Sequence, residues 1–165
     1  MKRSQVEITH TLAVLVENKA GVLARVAGLF ARRGFNIESL AVAPIDDSLS
    51  RITIVVDAAS APLDQIKKQL DKLINVVEIS ELSPDNSALR EMVLVRMDVA
   101  DESQVAEVHE LVDGFSGTVI RERGTQMMIS LSSRPEELDK LLAELARFGI
   151  EELQRTGAIA IPGID

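Results

Sequence analysis

The chain has 165 residues, of which 46% are hydrophobic, and a formal net charge of −8. This length allows one ordinary domain or two small ones, and the apolar fraction is sufficient for a buried core. The absence of cysteine excludes disulfides, thiolate nucleophiles and sulfur-ligated metal sites. No run of about 18 apolar residues occurs and the N-terminus does not lead into a signal-peptide core, so we expect a cytoplasmic protein without a membrane partner.

Charge is distributed unevenly along the chain. Residues 1–83 carry 10 basic and 10 acidic side chains, whereas residues 84–165 carry 8 and 16. A nucleic-acid-binding surface is usually basic, and an RNA-binding surface often carries aromatic rings that stack on bases. With no Trp or Tyr, four Phe and an acidic second half, we expect no nucleic-acid partner.

The first half of the chain predicts the order strand, helix, strand, strand, helix, strand over residues 11–81. Strands are predicted at 12–16, 37–42, 51–56 and 76–81 from apolar alternation. Apolar residues at helical spacing mark two amphipathic helices: Val22, Leu23, Val26, Leu29 and Phe30 in the first, and Leu63, Ile66, Leu70 and Leu73 in the second.

The same order recurs in the second half, after a polar, turn-rich segment at 83–87. Strands are predicted at 92–99, 118–121, 127–131 and 158–161, with two helices between them marked by Val105, Val108, Leu111 and Val112, and by Leu138, Leu141, Leu142 and Leu145. Ser133 and Glu136 have the spacing of a capping box for the last helix. The predicted domains are residues 10–82 and 91–165, joined by a linker at 83–90.

This element order predicts an α+β fold with two ferredoxin-like βαββαβ domains in tandem. A sheet with helices on one face leaves its other face and its edge strands to be covered. Val55, and Leu40 or Val42, point away from their apolar neighbours, so both sheet faces are expected to be partly hydrophobic. We therefore expect an oligomer.

A candidate ligand loop follows the first strand, at Glu17-Asn18-Lys19-Ala20-Gly21. Asn and Gly tolerate unusual backbone angles, and the helix that begins here offers free N–H donors to a small anionic ligand. Gly34 and Asn36 then separate this helix from the next strand. A helix entry and a C-cap would explain each glycine alone, but two such elements at this spacing favour a binding site.

No catalytic set accompanies this loop. The two histidines, His10 before the first strand and His109 in a helix, form no His-x-x-x-His or His–carboxylate constellation, and both are expected to face solvent. The chain has no nucleophile elbow and no complete phosphate-binding motif. We therefore predict no catalytic residue, no metal site and no cofactor in this chain.

Several strings of the first half resemble one family. Glu17-Asn18-x-x-Gly21-Val22-Leu23, Arg25-Val26-x-x-Leu29-Phe30, Arg33-Gly34-Phe35-Asn36-Ile37-Glu38-Ser39-Leu40 and Leu49-Ser50-Arg51-Ile52-Thr53-Ile54 resemble the small regulatory subunit of acetolactate (acetohydroxyacid) synthase, whose N-terminal half is an ACT domain. Residues 90–157 resemble it more loosely, through a second ferredoxin-like domain and Arg155-Thr156-Gly157. Pro162-Gly163 departs from the basic residue that many members have before the last glycine.

The resemblance implies a non-catalytic subunit that binds the large, thiamine-diphosphate-dependent catalytic subunit. It would raise the activity of that subunit and confer feedback inhibition by valine or a related branched-chain amino acid. The effector-binding residues carried over by the resemblance are Asn18, Lys19, Ala20, Gly21, Val22 and Leu23 from one chain, with Asn36 and Ile37 from the other chain of a homodimer. Thiamine diphosphate would belong to the partner alone.

Three alternatives compete with this interpretation. A free-standing tandem ACT amino-acid sensor, regulating another enzyme or transcription, shares the fold and the loop, and co-purification with a large subunit would separate the two. An enzyme or metal carrier on a ferredoxin-like scaffold is permitted by the fold, but the lack of Cys and of a His cluster argues against it. An RNA-binding domain would need aromatic residues on the sheet.

Overall fold

A computed structural model describes residues 9–57, 62–83 and 85–164. Its contacts divide the chain into two compact units, Met1–Ala88 with Ala158–Asp165, and Leu89–Gly157. Residues 1–8, where the sequence shows no signal-peptide core, and Pro84 of the predicted linker lie outside the described residues.

The first unit has the predicted βαββαβ order. Its elements are β1 (Thr9–Glu17), α1 (Val22–Arg33), β2 (Ile37–Pro44), β3 (Leu49–Asp57), α2 (Leu63–Leu70) and β4 (Val76–Leu82). The strands form an antiparallel sheet in the order β2-β3-β1-β4. Because β1 and β2 both run antiparallel to β3, they point in the same direction. The C-terminal ends of β1 and β2 therefore lie at the same end of the sheet.

Helix α1 is amphipathic as predicted. Val22, Val26, Leu29 and Phe30 are all buried, and burial of each such side chain contributes about 1.5–3 kcal/mol. These side chains pack against β1 and β3 through Leu12, Val14, Ile52 and Ile54. The helix ends at Gly34, whose φ of 67° is left-handed and whose N–H donates to Ala31 O at 3.2 Å.

The second unit repeats the order, which confirms the predicted fold class. Its elements are β5 (Ser87–Asp98), α3 (Glu102–Gly114), β6 (Thr118–Arg123), β7 (Gln126–Ser133), α4 (Pro135–Leu145), a 3₁₀ turn (Ala146–Phe148) and β8 (Ile150–Arg155), with sheet order β6-β7-β5-β8. Asp101 caps α3 by accepting the N–H of Gln104 at 3.0 Å.

The predicted capping box of the last helix is wrong. Ser133 is the final residue of β7, and α4 follows from Arg134 without a side-chain cap, with Pro135 as its first residue. Proline suits this position because its φ is already helical and its missing N–H would have had no helical partner.

The structure confirms the predicted last strand, adds one strand before it and corrects the domain boundaries. The added strand is β8, which pairs with β5 at the end of the strand order. The strand predicted at 158–161 is present as β9 (Ile159–Pro162), which also pairs with β5, although its residues are grouped with the first unit. Residues 87–90 belong to β5 rather than to a linker. Strand β8 escaped prediction because it is a polar edge strand in which Glu151 and Glu152 are exposed.

Residues of the C-terminal segment are buried within the first unit. Ala158 and Ala160 are 1% and 4% exposed, and the N–H of Ala158 donates to Ser39 Oγ at 2.8 Å. Ser39 lies opposite Val55 in the sheet, so this contact is on the face away from the core.

The predicted two-sided hydrophobicity of the first sheet is therefore correct only in part. Val55 does lie on the face away from the helices and is 8% exposed. Leu40 and Val42, however, lie opposite Ile54 and Ile52, on the same face as the core.

Candidate functional site

The loop between β1 and α1 turns at Gly21. Its φ of 84° is in the left-handed region, which costs L residues other than Gly about 1–2 kcal/mol. Before it, the N–H of Asn18 donates to Ser48 O at 2.7 Å, and the N–H of Val22 donates to Lys19 O at 3.3 Å. The loop is therefore a short, hydrogen-bonded turn that leads directly into the helix.

This turn exposes main-chain donors at the start of α1. Within the described segment 18–36, no hydrogen bond uses the N–H of Ala20, Gly21, Leu23 or Ala24, as expected for the first turn of a helix. A Cβ built on Gly21 would meet nothing within 4 Å, so a small ligand has room to approach the backbone. The partial positive charge of a helix N-terminus favours an anion there.

The predicted loop residues differ in their accessibility. Asn18, Lys19, Ala20 and Gly21 are exposed, and Leu23 is 41% exposed. The side chain of Val22 is only 4% exposed and belongs to the core. The N–H of Val22 already donates to Lys19 O. Val22 therefore packs beneath the loop and offers a ligand neither its side chain nor its N–H.

A buried asparagine stands behind the loop. Asn75, 8% exposed, immediately precedes β4. Its Oδ1 accepts a hydrogen bond from Arg25 Nη1 at 2.5 Å, and its Nδ2 donates to Glu17 Oε2. Its main-chain carbonyl accepts the N–H of Glu17 at 2.9 Å. The end of β1, the start of α1 and the start of β4 are thereby joined; we call these three residues the Asn75 network.

Two hydrogen bonds lower the pKa of the Glu17 carboxyl. The hydrogen bond from Asn75 is the main reason that the pKa of its carboxyl lies below its ordinary value, and the hydrogen bond from Lys19 Nζ, at 3.1 Å, is the second. A carboxylate that accepts such bonds favours the charged state.

The β2–β3 turn supports the loop from the other side. Asp46 Oδ1 accepts the N–H of Ser48 at 2.7 Å, the Ser48 hydroxyl at 2.8 Å and the N–H of Leu49 at 2.8 Å. These bonds, the Ser48 hydroxyl first, lower the pKa of Asp46. They also fix the carbonyl of Ser48, which accepts the N–H of Asn18.

The other predicted segment lies at the opposite end of α1. Asn36 is exposed and donates from Nδ2 to Glu38 Oε1, while Ile37 begins β2 and packs against the core. The 12 residues of α1, at a rise of 1.5 Å each, make the helix about 18 Å long. A single chain therefore does not bring Asn36 and Gly21 together around a ligand the size of an amino acid.

Sequence reasoning missed the residues that hold the loop. Glu17 begins the candidate loop and Arg25 lies in one of the family strings, but neither is among the predicted effector-binding residues, and Asn75 lies in none of these motifs. No local pattern indicates Asn75, because its partners are 50 and 58 residues away along the chain.

The histidines differ in two respects from the prediction. His10 lies within β1, and His109 Nε2 contacts Glu122 Oε2 at 2.5 Å, on an exposed surface. In the described part of the chain, no group of three or more His, Cys, Asp or Glu residues could hold a metal ion. No helix among the same residues is long and apolar enough to cross a membrane.

The tandem βαββαβ units, with a glycine turn between the first strand and helix, define a protein of the ACT-domain class. A family model described as the AHAS small subunit-like ACT domain matches residues 12–78. A second, described as the small subunit of acetolactate synthase, matches residues 90–163.

Acetolactate synthase small subunits from several organisms match nearly the whole chain. This chain therefore belongs to the family of acetolactate synthase small subunits. The small subunit of Mycolicibacterium smegmatis is 46% identical over 154 residues, which are 93% of this chain and 90% of that protein. A probable small subunit of Archaeoglobus fulgidus is 42% identical, over 92% of this chain and 95% of that protein. The crystal structure of the small subunit from Thermotoga maritima matches with a TM-score of 0.84 and 34% identity, covering 96% of this chain and 99% of that one. The family resemblance seen in the sequence is confirmed.

Proposed function

We propose that this chain is the non-catalytic, regulatory partner of a large, thiamine-diphosphate-dependent acetolactate synthase subunit. It raises the activity of that subunit and confers feedback inhibition by valine or a related branched-chain amino acid. The observation that carries the proposal is the Gly21 turn, with its free N–H donors and open space at the start of α1, in a chain of this family.

The chemistry of the turn suits one end of an amino acid. The effector carboxylate would accept N–H groups around Gly21, where the helix N-terminus attracts an anion. The effector ammonium would meet the Asn36 side-chain oxygen or strand carbonyls, and Ile37 would lie beside the aliphatic side chain. Apolar contacts of this kind discriminate by about 1–3 kcal/mol per methylene, so valine and leucine would differ modestly.

The topology of the first sheet supports a site shared by two chains. Strand β2 is at one edge of this sheet, and it runs in the same direction as β1. If two copies pair their β2 strands antiparallel, the start of the partner's β2 comes to the end of the sheet where Gly21 lies. Asn36 of the partner subunit would then face Gly21. Within one chain, the 12 residues of α1 keep Asn36 away from Gly21. We infer a homodimer through the first units.

Reconstitution tests the function directly. The purified chain alone should form no acetolactate, and adding it to the large subunit should raise acetolactate formation. Valine should inhibit only the reconstituted enzyme. Acetolactate formation by the chain alone, or a large subunit that ignores it, would contradict the proposal. Localisation in the cytoplasm, where we expect this chain to work, can be checked by fractionation.

A further inference from the structure

The Asn75 network contains a buried polar side chain that the proposed effector contacts do not use. The amide of Asn75 uses its carbonyl oxygen toward Arg25 and its nitrogen toward Glu17. A buried polar group costs stability unless it is hydrogen-bonded, and an apolar residue could fill this volume without that requirement. Its location directly behind the Gly21 turn suggests a role in the turn itself.

We propose that Asn75 is a positioning residue of the effector site, which holds Glu17 and Arg25 so that the turn between them is formed before the ligand arrives. This inference rests on the proposed function of the turn. Asn75 does not touch the ligand in this scheme. It acts through the residues on either side of the turn.

The connections of Asn75 explain why it is suited to this role. Glu17 is the last residue of β1 and Arg25 lies in the first turns of α1, so the network spans the segment 18–24 from both ends. The main-chain bond from Glu17 to Asn75 O fixes the same residue a second time. Lys19, inside the segment, is bonded to the other oxygen of Glu17. A ligand that meets a formed turn has fewer groups to immobilise, which increases affinity.

The first test is the dissociation constant of valine, measured by calorimetry on the full chain. Asn75→Ala should weaken binding by about tenfold, since two side chains lose their anchor and must be immobilised by the ligand. Asn86→Ala is the matched control, because the Asn86 side chain also fixes a turn of the first unit, by accepting the N–H of Ser83 at 2.7 Å. It should leave the dissociation constant unchanged.

A donor–acceptor exchange separates positioning from general stability. Asn75→Asp removes the amide donor and sets a second carboxylate against Glu17, so valine binding should fall. Adding Glu17→Gln restores a pair with the donor and acceptor reversed. In this double variant the new carboxylate at position 75 can still accept from Arg25, and most of the affinity should return. If Asn75→Ala does not fold, comparison of Asn75→Asp with the double variant still tests the positioning role of Asn75.

The outcomes distinguish this proposal from the function on which it rests. If the unmodified chain binds no branched-chain amino acid, both are overturned. If the unmodified chain binds valine and folded Asn75→Ala binds it equally well, only the positioning role is overturned. A loss in Asn86→Ala as large as that in Asn75→Ala, or an exchange variant no better than Asn75→Asp, would also overturn it.

Discussion

The main-chain N–H of Ala158 donates to the Oγ of Ser39 at 2.8 Å. This bond ties the C-terminal segment to β2, which begins at Ile37, directly after Asn36. The first unit is thus completed by residues that follow the whole of the second unit in sequence. A fragment that ends near Pro84 would lack this cover as well as the second unit. A test of whether such a fragment binds valine would therefore mix two effects.

A chain that ends at Gly157 should be less stable than the full chain. It loses the buried Ala158 and Ala160 and the bond to Ser39, so we expect a decrease of about 1–3 kcal/mol in the free energy of unfolding. Urea denaturation measures it, with a chain that ends at Pro162 as the control that retains both alanines. Equal midpoints for the full chain and the shorter one would show that the segment contributes nothing.

Gly21→Asp should abolish the response to valine and spare activation of the large subunit. The left-handed φ of 84° makes any side chain costly, and a carboxylate about 4 Å from that of the effector adds repulsion of about 1–4 kcal/mol. Gly124→Asp is a matched control: its φ is 61° and a Cβ there also meets nothing within 4 Å. It carries similar strain in the second unit and should keep valine inhibition, measured on the reconstituted enzyme. Persistent inhibition of Gly21→Asp would show that the effector binds elsewhere.

Arg155→Met should strongly destabilise the second unit. Arg155 donates from Nε to Glu91, which is 5% exposed, and from Nη1 to Asp139 at 2.6 Å. Without Arg155, the charge of Glu91 would be buried and unpaired, which costs about 3–5 kcal/mol. Arg96→Met, which removes exposed pairs with Glu151 and Glu152, should cost less than about 1 kcal/mol. Similar urea midpoints for the two variants would contradict this account.

The prediction of the fold succeeded where burial produces a local pattern. Helix α1 shows this best, because Val22, Val26, Leu29 and Phe30 are buried at helical spacing and Gly34 ends the helix in the left-handed conformation. Strand β8 shows the limit, since edge strands need little burial and this one exposes Glu151 and Glu152.

The prediction of the candidate site was limited in a similar way. The Gly21 turn could be recognised because glycine is required by its φ, which is a local property. Asn75 could not, because its role depends on contacts with Glu17 and Arg25 that only the tertiary fold creates. The observed length of α1 shows that Gly21 and Asn36 are far apart within one chain. The direction of β2 then indicates how a second chain could bring its Asn36 to Gly21.

The stabilising effect of Glu17 should depend on pH in the acidic range. Its pKa is lowered in the folded chain from an ordinary value of 4.5, so folding favours the ionised form. The corresponding stability is present above the ordinary value and is lost as the pH falls through the lowered pKa. Any gap in urea midpoint between the unmodified chain and Glu17→Gln should therefore narrow as the pH is lowered from neutral to below the ordinary value of 4.5. A gap that is constant over this range would contradict the hydrogen bonds assigned to Glu17.

Valine should tighten the homodimer if each effector site uses Gly21 from one chain and Asn36 from the other. A ligand that binds only the dimer stabilises it by mass action. With two sites per dimer and valine at about 100 times its dissociation constant, the dimer dissociation constant should fall by roughly 10⁴-fold.

Sedimentation across a dilution series, with and without valine, measures this linkage. Gly21→Asp serves as the control, since it keeps β2 intact for pairing but should not respond to valine. Because linkage is reciprocal, valine binding must weaken as the chain is diluted toward monomers. A monomer that binds valine as tightly as the dimer would show that one chain forms the whole site, and the separation of Gly21 from Asn36 along α1 would then place Asn36 outside it.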